Sequence, residues 1–296
     1  MATKTPLRAV DIFAAHLLTQ LQHHRSRFTS STTPPLFVAM QGPQGSGKTT
    51  VTRSLISHLS STGLKVGVLS TDDLYYTYAN LKRVAEENPN NPLLSGRGQP
   101  GTHDVSLGVE ILDQAYRINE EGGEVRLPVF DKSLYNGYGD RARSSQSPVL
   151  KGPLDIFILE GWSMGFSPIP SSLVSEKQQS CLPDAPLKRY TLESLQQINT
   201  NLTTYTEWYN PFTVFLQIQP TDLNNVYIWR TQQEHHMKAS NGGKGMTDDE
   251  VRRFVDRYMP GYQLFLDTIR EDARWKGRSK MVTIDLERSV VGVEDW

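Results

Sequence analysis

Gly42-Pro43-Gln44-Gly45-Ser46-Gly47-Lys48-Thr49 fills the pattern G-x-x-x-x-G-K-[ST] at every fixed position. An apolar run, Leu36 to Met40, precedes it, and a helical pattern, Thr49 to Leu59, follows. Strand, glycine-rich turn and helix in that order build a cradle for phosphate. Glycines let the backbone curl until successive N–H groups converge on phosphate oxygens, and the helix N-terminus adds partial positive charge. The expected nucleotide contacts are Gly42, Pro43, Gln44, Gly45, Ser46, Gly47, Lys48, Thr49 and Thr50. Lys48 reaches the β- and γ-phosphates as a point charge, and the Thr49 hydroxyl ligates Mg²⁺. ATP and Mg²⁺ are therefore the expected cofactors.

Working outward, Lys65 to Ser70, Asp155 to Glu160, Thr213 to Gln219 and Met281 to Ile284 also read as buried strands. Helical patterns begin near Lys48, Asp104, Thr221 and Thr247. Near-continuous apolar strands alternating with helices imply a parallel sheet covered on both faces. The expectation is a P-loop α/β/α sandwich around a mainly parallel five-stranded sheet, with a helical lid after the fourth strand. Residues 1–35 read as an N-terminal helix and linker, 36–296 as the P-loop domain, and about 230–250 as the lid. Thr247 and Glu250 form a capping-box pattern ahead of Val251, Phe254, Val255 and Tyr258, and Pro260 should kink or end that helix. Residues 88–103 and 131–153 read as long functional loops, and Asn241-Gly242-Gly243-Lys244-Gly245 as a hinge or tip.

Composition narrows the partners. The net charge is −1, so bulk electrostatics favour neither nucleic acid nor membrane. A single cysteine, Cys181, excludes an internal disulfide and fits a reducing compartment. No acidic residue lies between Asp11 and Asp72, and Arg8, Arg25 and Arg27 come early, which resembles a mitochondrial transit segment. The alternative is an amphipathic helix docked through Val10, Ile12, Phe13, Leu17, Leu18 and Leu21. The docked helix, a cytoplasmic location and a monomer are the preferred readings.

Two carboxylate positions carry the expected chemistry. The second strand ends in Ser70-Thr71-Asp72-Asp73-Leu74-Tyr75, and ligands of open α/β sheets bind beyond such strand ends. Asp72 is the candidate base for an attacking hydroxyl, with Asp73 its neighbour or a ligand to a metal-bound water. Either aspartate could instead cap a helix, and the sequence leaves open which is the base. The strand Asp155 to Leu159 delivers Glu160, which would hold Mg²⁺ through a water; Asp72 and Thr49 complete the metal candidates. Neither a D-x-x-G nor an N/T-K-x-D guanine-reading motif is present, which favours a kinase over a GTP switch.

These motifs together resemble the uridine kinase, pantothenate kinase and phosphoribulokinase group of P-loop kinases. Longer stretches sharpen the resemblance: Arg97-Gly98-Gln99-Pro100-Gly101-Thr102-His103-Asp104, Leu127 to Ser133, Gly139-Asp140-Arg141, Trp229 to Lys238, Gly245 to Glu250, and Arg257 to Pro260. This set is similar to the D-glycerate 3-kinase family of plants and cyanobacteria and its fungal relatives, the probable ATP-dependent kinases. It spans most of residues 36–285 but neither the first 35 residues nor 165–190.

The resemblance implies Asp72 as base, Asp131 as a substrate contact, and Arg230 with Lys238 as lid cations. Phe130 stands where the wider group has tyrosine, so no role is carried to that position. Asp73, Tyr75, Arg97, His103, Lys132 and Arg141 join Asp131 as substrate-binding candidates. Arg97 and Arg141 suit a carboxylate, which guanidinium pairs with in bidentate fashion. The catalytic set is Asp72, Lys48, Glu160 and Arg230, and the expected acceptor is D-glycerate. A kinase acting on a nucleoside, pantothenate or a sugar is the first alternative, and an ATP-binding regulator the second.

Overall fold

All five runs read as buried strands pair into one sheet, and a sixth strand joins them at one edge. The computed structural model describes residues 8–28, 32–240 and 242–296. In chain order the strands are β1 (Leu36–Gln41), β2 (Val66–Ser70), β3 (Glu124–Arg126), β4 (Phe130–Asp131), β5 (Asp140–Arg141), β6 (Val149–Lys151), β7 (Ile156–Gly161), β8 (Val214–Pro220), β9 (Ser279–Ile284) and β10 (Val290–Asp295). The helices are α1 (Ala9–Ser26), α2 (Lys48–Ser61), α3 (Tyr78–Glu87), α4 (Val105–Tyr116), α5 (Ser171–Ser180), α6 (Leu192–Tyr205), α7 (Asn225–Ser240), α8 (Asp248–Asp256) and α9 (Met259–Phe265).

The sheet runs β10-β9-β8-β1-β7-β2, parallel except for β10. Strand β1 is buried at every position because β7 and β8 flank it and helices cover both faces. Alternate side chains settle the layers. Met40 points at Thr52 of α2, whereas Phe37 meets Tyr116 of α4. Helix α1 packs on α2 and β9, burying Phe13, Ala14, Leu17 and Leu21 in the same core as the sheet.

The register places the functional strand ends side by side. Gln41, the last residue before the P-loop, is level with Gly161, and Ser70 is level with Glu160. The sheet therefore gathers the P-loop, Glu160 and Ser70–Tyr75 at one crevice, as parallel strands do at their carboxyl ends.

The structure differs from the sequence reading in several places. The sheet has six strands rather than five: β10 escapes notice because Val291 and Val293 face outward and Glu294 and Asp295 interrupt the apolar pattern. The stretch 131–153 is not one open loop; it holds the return strands of two short hairpins, β4–β5 and β3–β6. Helices α3, α5 and α6 were not signalled, and α7 starts at Asn225, later than Thr221. The capping box at Thr247 and Glu250 forms as expected. Pro260 does not lie inside that helix: α8 stops at Asp256, and Pro260 sits in the first turn of α9, where its missing N–H is no loss. Of the expected hinge, Asn241 lies outside the described residues.

Candidate active site

The cradle owes its shape to two left-handed glycines. Gly45 has φ +74° and Gly47, the residue capping α2, has φ +85°. A Cβ on Gly45 would stand 2.5 Å from Cβ of Trp229, so the P-loop lies directly against the root of α7. Thr49 and Thr50 are exposed in the first turn of α2, leaving both hydroxyls open to a ligand. These features fit a nucleotide triphosphate and a cation held largely by phosphate and water.

Lys48, the first residue of α2, turns back to form a nearly buried ion pair with Glu160 at the end of β7. Burial lowers the Lys48 ammonium to about 8, opposed by the negative charge of Asp72. Beyond the end of β2, Asp72 Oδ2 accepts a hydrogen bond from Lys132 Nζ at 2.5 Å. Burial pushes this carboxyl up, but Lys132 and then Lys48 outweigh it and bring Asp72 down to about 2. The crevice thus holds two lysines and two carboxylates, paired crosswise along adjacent strand ends.

Asp73 faces elsewhere. Its Oδ1 accepts the Phe130 N–H at 3.0 Å, tying β4 to the end of β2. Tyr75 is buried and stacks on His103, with ring centres 4.2 Å apart. An antiparallel bridge between Tyr75 and His103 stitches the 97–104 loop to this segment. His103 Nδ1 lies 2.8 Å from the Tyr205 hydroxyl, and burial pushes its pKa down to about 4, so the ring is neutral. Arg97 Nη1 donates to the carbonyls of Gly137 and Tyr138, and its guanidinium lies 5.7 Å from the Phe130 ring centre. One arginine therefore joins the two long loops at the crevice.

The remaining expected contacts are engaged within the protein. Arg141 Nη2 pairs with Asp104 at 2.8 Å and its Nε donates to the Tyr75 carbonyl, fastening the hairpin to the start of α4. Asp131 Oδ1 accepts from the backbone and hydroxyl of Ser133. Arg230 pairs with buried Glu234 one turn along α7 at 2.9 Å and lies over Phe254 of α8. Glu234 Oε1 in turn accepts the Met246 N–H at 2.8 Å, tying the approach to α8 onto α7.

Two residues near the site were missed as functional groups. Tyr258 enters the sequence reading as a helix position and within the Arg257-to-Pro260 stretch, with no role of its own. Its hydroxyl lies 2.9 Å from where a Cβ on Gly98 would stand, so it borders the 97–104 loop. Arg288 follows β9 in no motif, yet its Nε donates to the Gly45 carbonyl at 2.7 Å. Only the fold brings residue 288 to the P-loop, so spacing along the chain gave no signal.

No family model matches the chain. Among curated proteins it is 41% identical over 266 residues to "Probable ATP-dependent kinase TDA10" of Saccharomyces cerevisiae, covering 86% of this chain and 87% of that protein. It is 34% identical over 271 residues to the chloroplastic D-glycerate 3-kinase of Arabidopsis thaliana, covering 90% of this chain and 56% of that longer protein. Among solved structures, D-glycerate 3-kinase from Cryptococcus neoformans superposes with a TM-score of 0.93 at 39% identity, covering 98% of this chain and all of that one. A P-loop, a carboxylate at each of two neighbouring strand ends and this degree of likeness lead to one assignment: the chain is an ATP-dependent kinase belonging to the D-glycerate 3-kinase family.

Proposed function

We propose that this kinase transfers the γ-phosphoryl group of ATP to a hydroxyl of D-glycerate, giving 3-phosphoglycerate. The observation that carries the mechanism is the Asp72–Lys132 pair beside the Lys48–Glu160 pair. Asp72 is ionised and lies within the electrostatic reach of Lys48, which supports its reading as the group that takes the hydroxyl proton. Asp73 is held by a backbone N–H, which favours Asp72 as the base. Lys132 is the cation nearest to Asp72 and suits the acceptor's carboxylate, with Arg97 behind it on the loop junction. Arg141 and Arg230 act by fixing the hairpin and the lid helix.

Mg²⁺, when bound, neutralises the charge on the transferred phosphate. Thr49 and Glu160 are the side chains suited to hold it, Glu160 through water, once Lys48 leaves Glu160 for the phosphates. Residues of about 230–250 act as a lid that excludes water from the reacting phosphate. The names of the relatives support D-glycerate as acceptor.

The test is a coupled assay of ADP release with ATP·Mg²⁺ against D-glycerate, L-glycerate, uridine, pantothenate, ribulose 5-phosphate and water alone. Saturable turnover with D-glycerate alone is expected. Turnover with a different member replaces the acceptor and keeps the mechanism, whereas slow release indifferent to every acceptor overturns both.

A further inference from the structure

The turn between β9 and β10 carries an arginine that the transfer step leaves unused. Arg288 has φ +63°, a left-handed backbone that a side chain adopts only at a cost. Glycine would hold this turn without that cost, so the reason for an arginine lies in its side chain.

That side chain is fixed on three sides. Nε donates to the Gly45 carbonyl at 2.7 Å, and Nη1 donates to Gln232 Oε1 at 3.1 Å. The guanidinium carbon lies 5.2 Å from the Trp229 ring centre, and the Trp229 indole N–H is itself tied to the Leu286 carbonyl at 2.7 Å. The stem runs alongside the cradle, with Cδ 3.7 Å from where a Cβ on Gly47 would be. No carboxylate pairs with it among the described residues, and burial alone perturbs its charge. A half-buried guanidinium without a counter-charge, at the lip of a phosphate cradle, is unusual unless a ligand completes its surroundings.

We propose that Arg288 is the platform on which the purine base of ATP stacks. Nε and one Nη1 N–H are engaged by protein oxygens and Trp229 lies beside the guanidinium, so the Nη2 edge and the open face of the plane remain for a ligand. A planar delocalised cation favours an aromatic ring there. The P-loop and Lys48 already serve the phosphates, and the C-terminal end of β9 lies on the crevice side of the sheet. The proposal rests on ATP binding at the P-loop but not on the identity of the acceptor.

The experiment is calorimetric titration of the parent, Arg288→Gly and Arg288→Lys with ATP and with inorganic tripolyphosphate, alongside tryptophan fluorescence. Both variants are expected to weaken ATP binding about tenfold, the scale of a desolvated cation–π contact, while tripolyphosphate binding stays as in the parent. ATP should change the tryptophan emission of the parent, and tripolyphosphate should not. Lysine keeps the charge but not the plane and leaves the backbone as it is, so that variant reads the stack even if glycine perturbs the turn. Unchanged ATP affinity in both variants overturns the proposal. Equal losses for ATP and tripolyphosphate also overturn it, because Arg288 would then serve the cradle through Gly45. A parent that binds tripolyphosphate but not ATP would sink the nucleotide reading itself.

Discussion

Asp72 is a weak proton acceptor while Lys132 sits on it, since its pKa is brought down to about 2. Loose phosphoryl-transfer transition states ask for orientation of the hydroxyl before they ask for base strength. Asp72→Asn is expected to lower kcat on the order of 10²–10⁴-fold with ATP affinity nearly unchanged, read by steady-state kinetics and nucleotide titration. Parallel loss of ATP binding would contradict its assignment to the acceptor. Lys132→Met removes the strongest influence holding Asp72 down and leaves the burial that pushes it up. The Asp72 pKa must then rise, moving the acid limb of residual kcat/KM for the acceptor to higher pH; an unmoved limb counts against the pair. For Lys48 the sign is opposite. Its ammonium is charged below about 8, so kcat/KM for ATP, which reports the free enzyme, should fall as pH rises through that value. A profile flat to pH 10 would refute it.

At the scale of elements, the P-loop and α7 act as one piece because Gly45 leaves no room between them. Gly45→Ala forces a left-handed alanine and drives a methyl into Trp229, an expected loss of about 2–4 kcal/mol of stability together with weaker ATP binding. Gly63→Ala is the control: its φ is +86° but nothing lies within 4 Å, so only the backbone cost of about 1–2 kcal/mol applies. Equal melting losses for the two would show that the close approach does not matter.

These elements also explain what could be read from the chain beforehand. The strand cores, the P-loop and the positions of Asp72 and Glu160 at neighbouring strand ends were legible because each depends on residues adjacent in sequence. Strand β10 was not, because an edge strand with outward valines carries no burial pattern. Arg141 looked free as a loop cation, yet its partners Asp104 and Tyr75 lie 37 and 66 residues away. Long-range partners of that kind decide whether a charged side chain meets a ligand or fastens the fold, and a motif is silent about them.

For the whole molecule, α1 is part of the core that supports the sheet. Leu17 is fully buried and helps pack α1 on α2 and β9. Leu17→Ala should cost about 2–5 kcal/mol, seen as a lower Tm, while activity at low temperature persists because α1 does not line the crevice. A Tm within experimental error of the parent would mean that the helix is dispensable. Among the described residues no helix is long and apolar enough to cross a membrane.

The crosswise pairing of Lys48 with Glu160 and Lys132 with Asp72 sums to zero charge, which makes the centre of the resting crevice self-quenched. A stray inorganic anion gains little there, since it offers Lys48 scarcely more than Glu160 already does. Occupancy becomes a swap of partners rather than a capture, and only a ligand presenting several oxygens at once can break both pairs together. Any field that draws an anionic ligand in must then come from the rim, where Arg288 and Arg97 have oxygen acceptors but no carboxylate partner among the described residues, rather than from the two pairs.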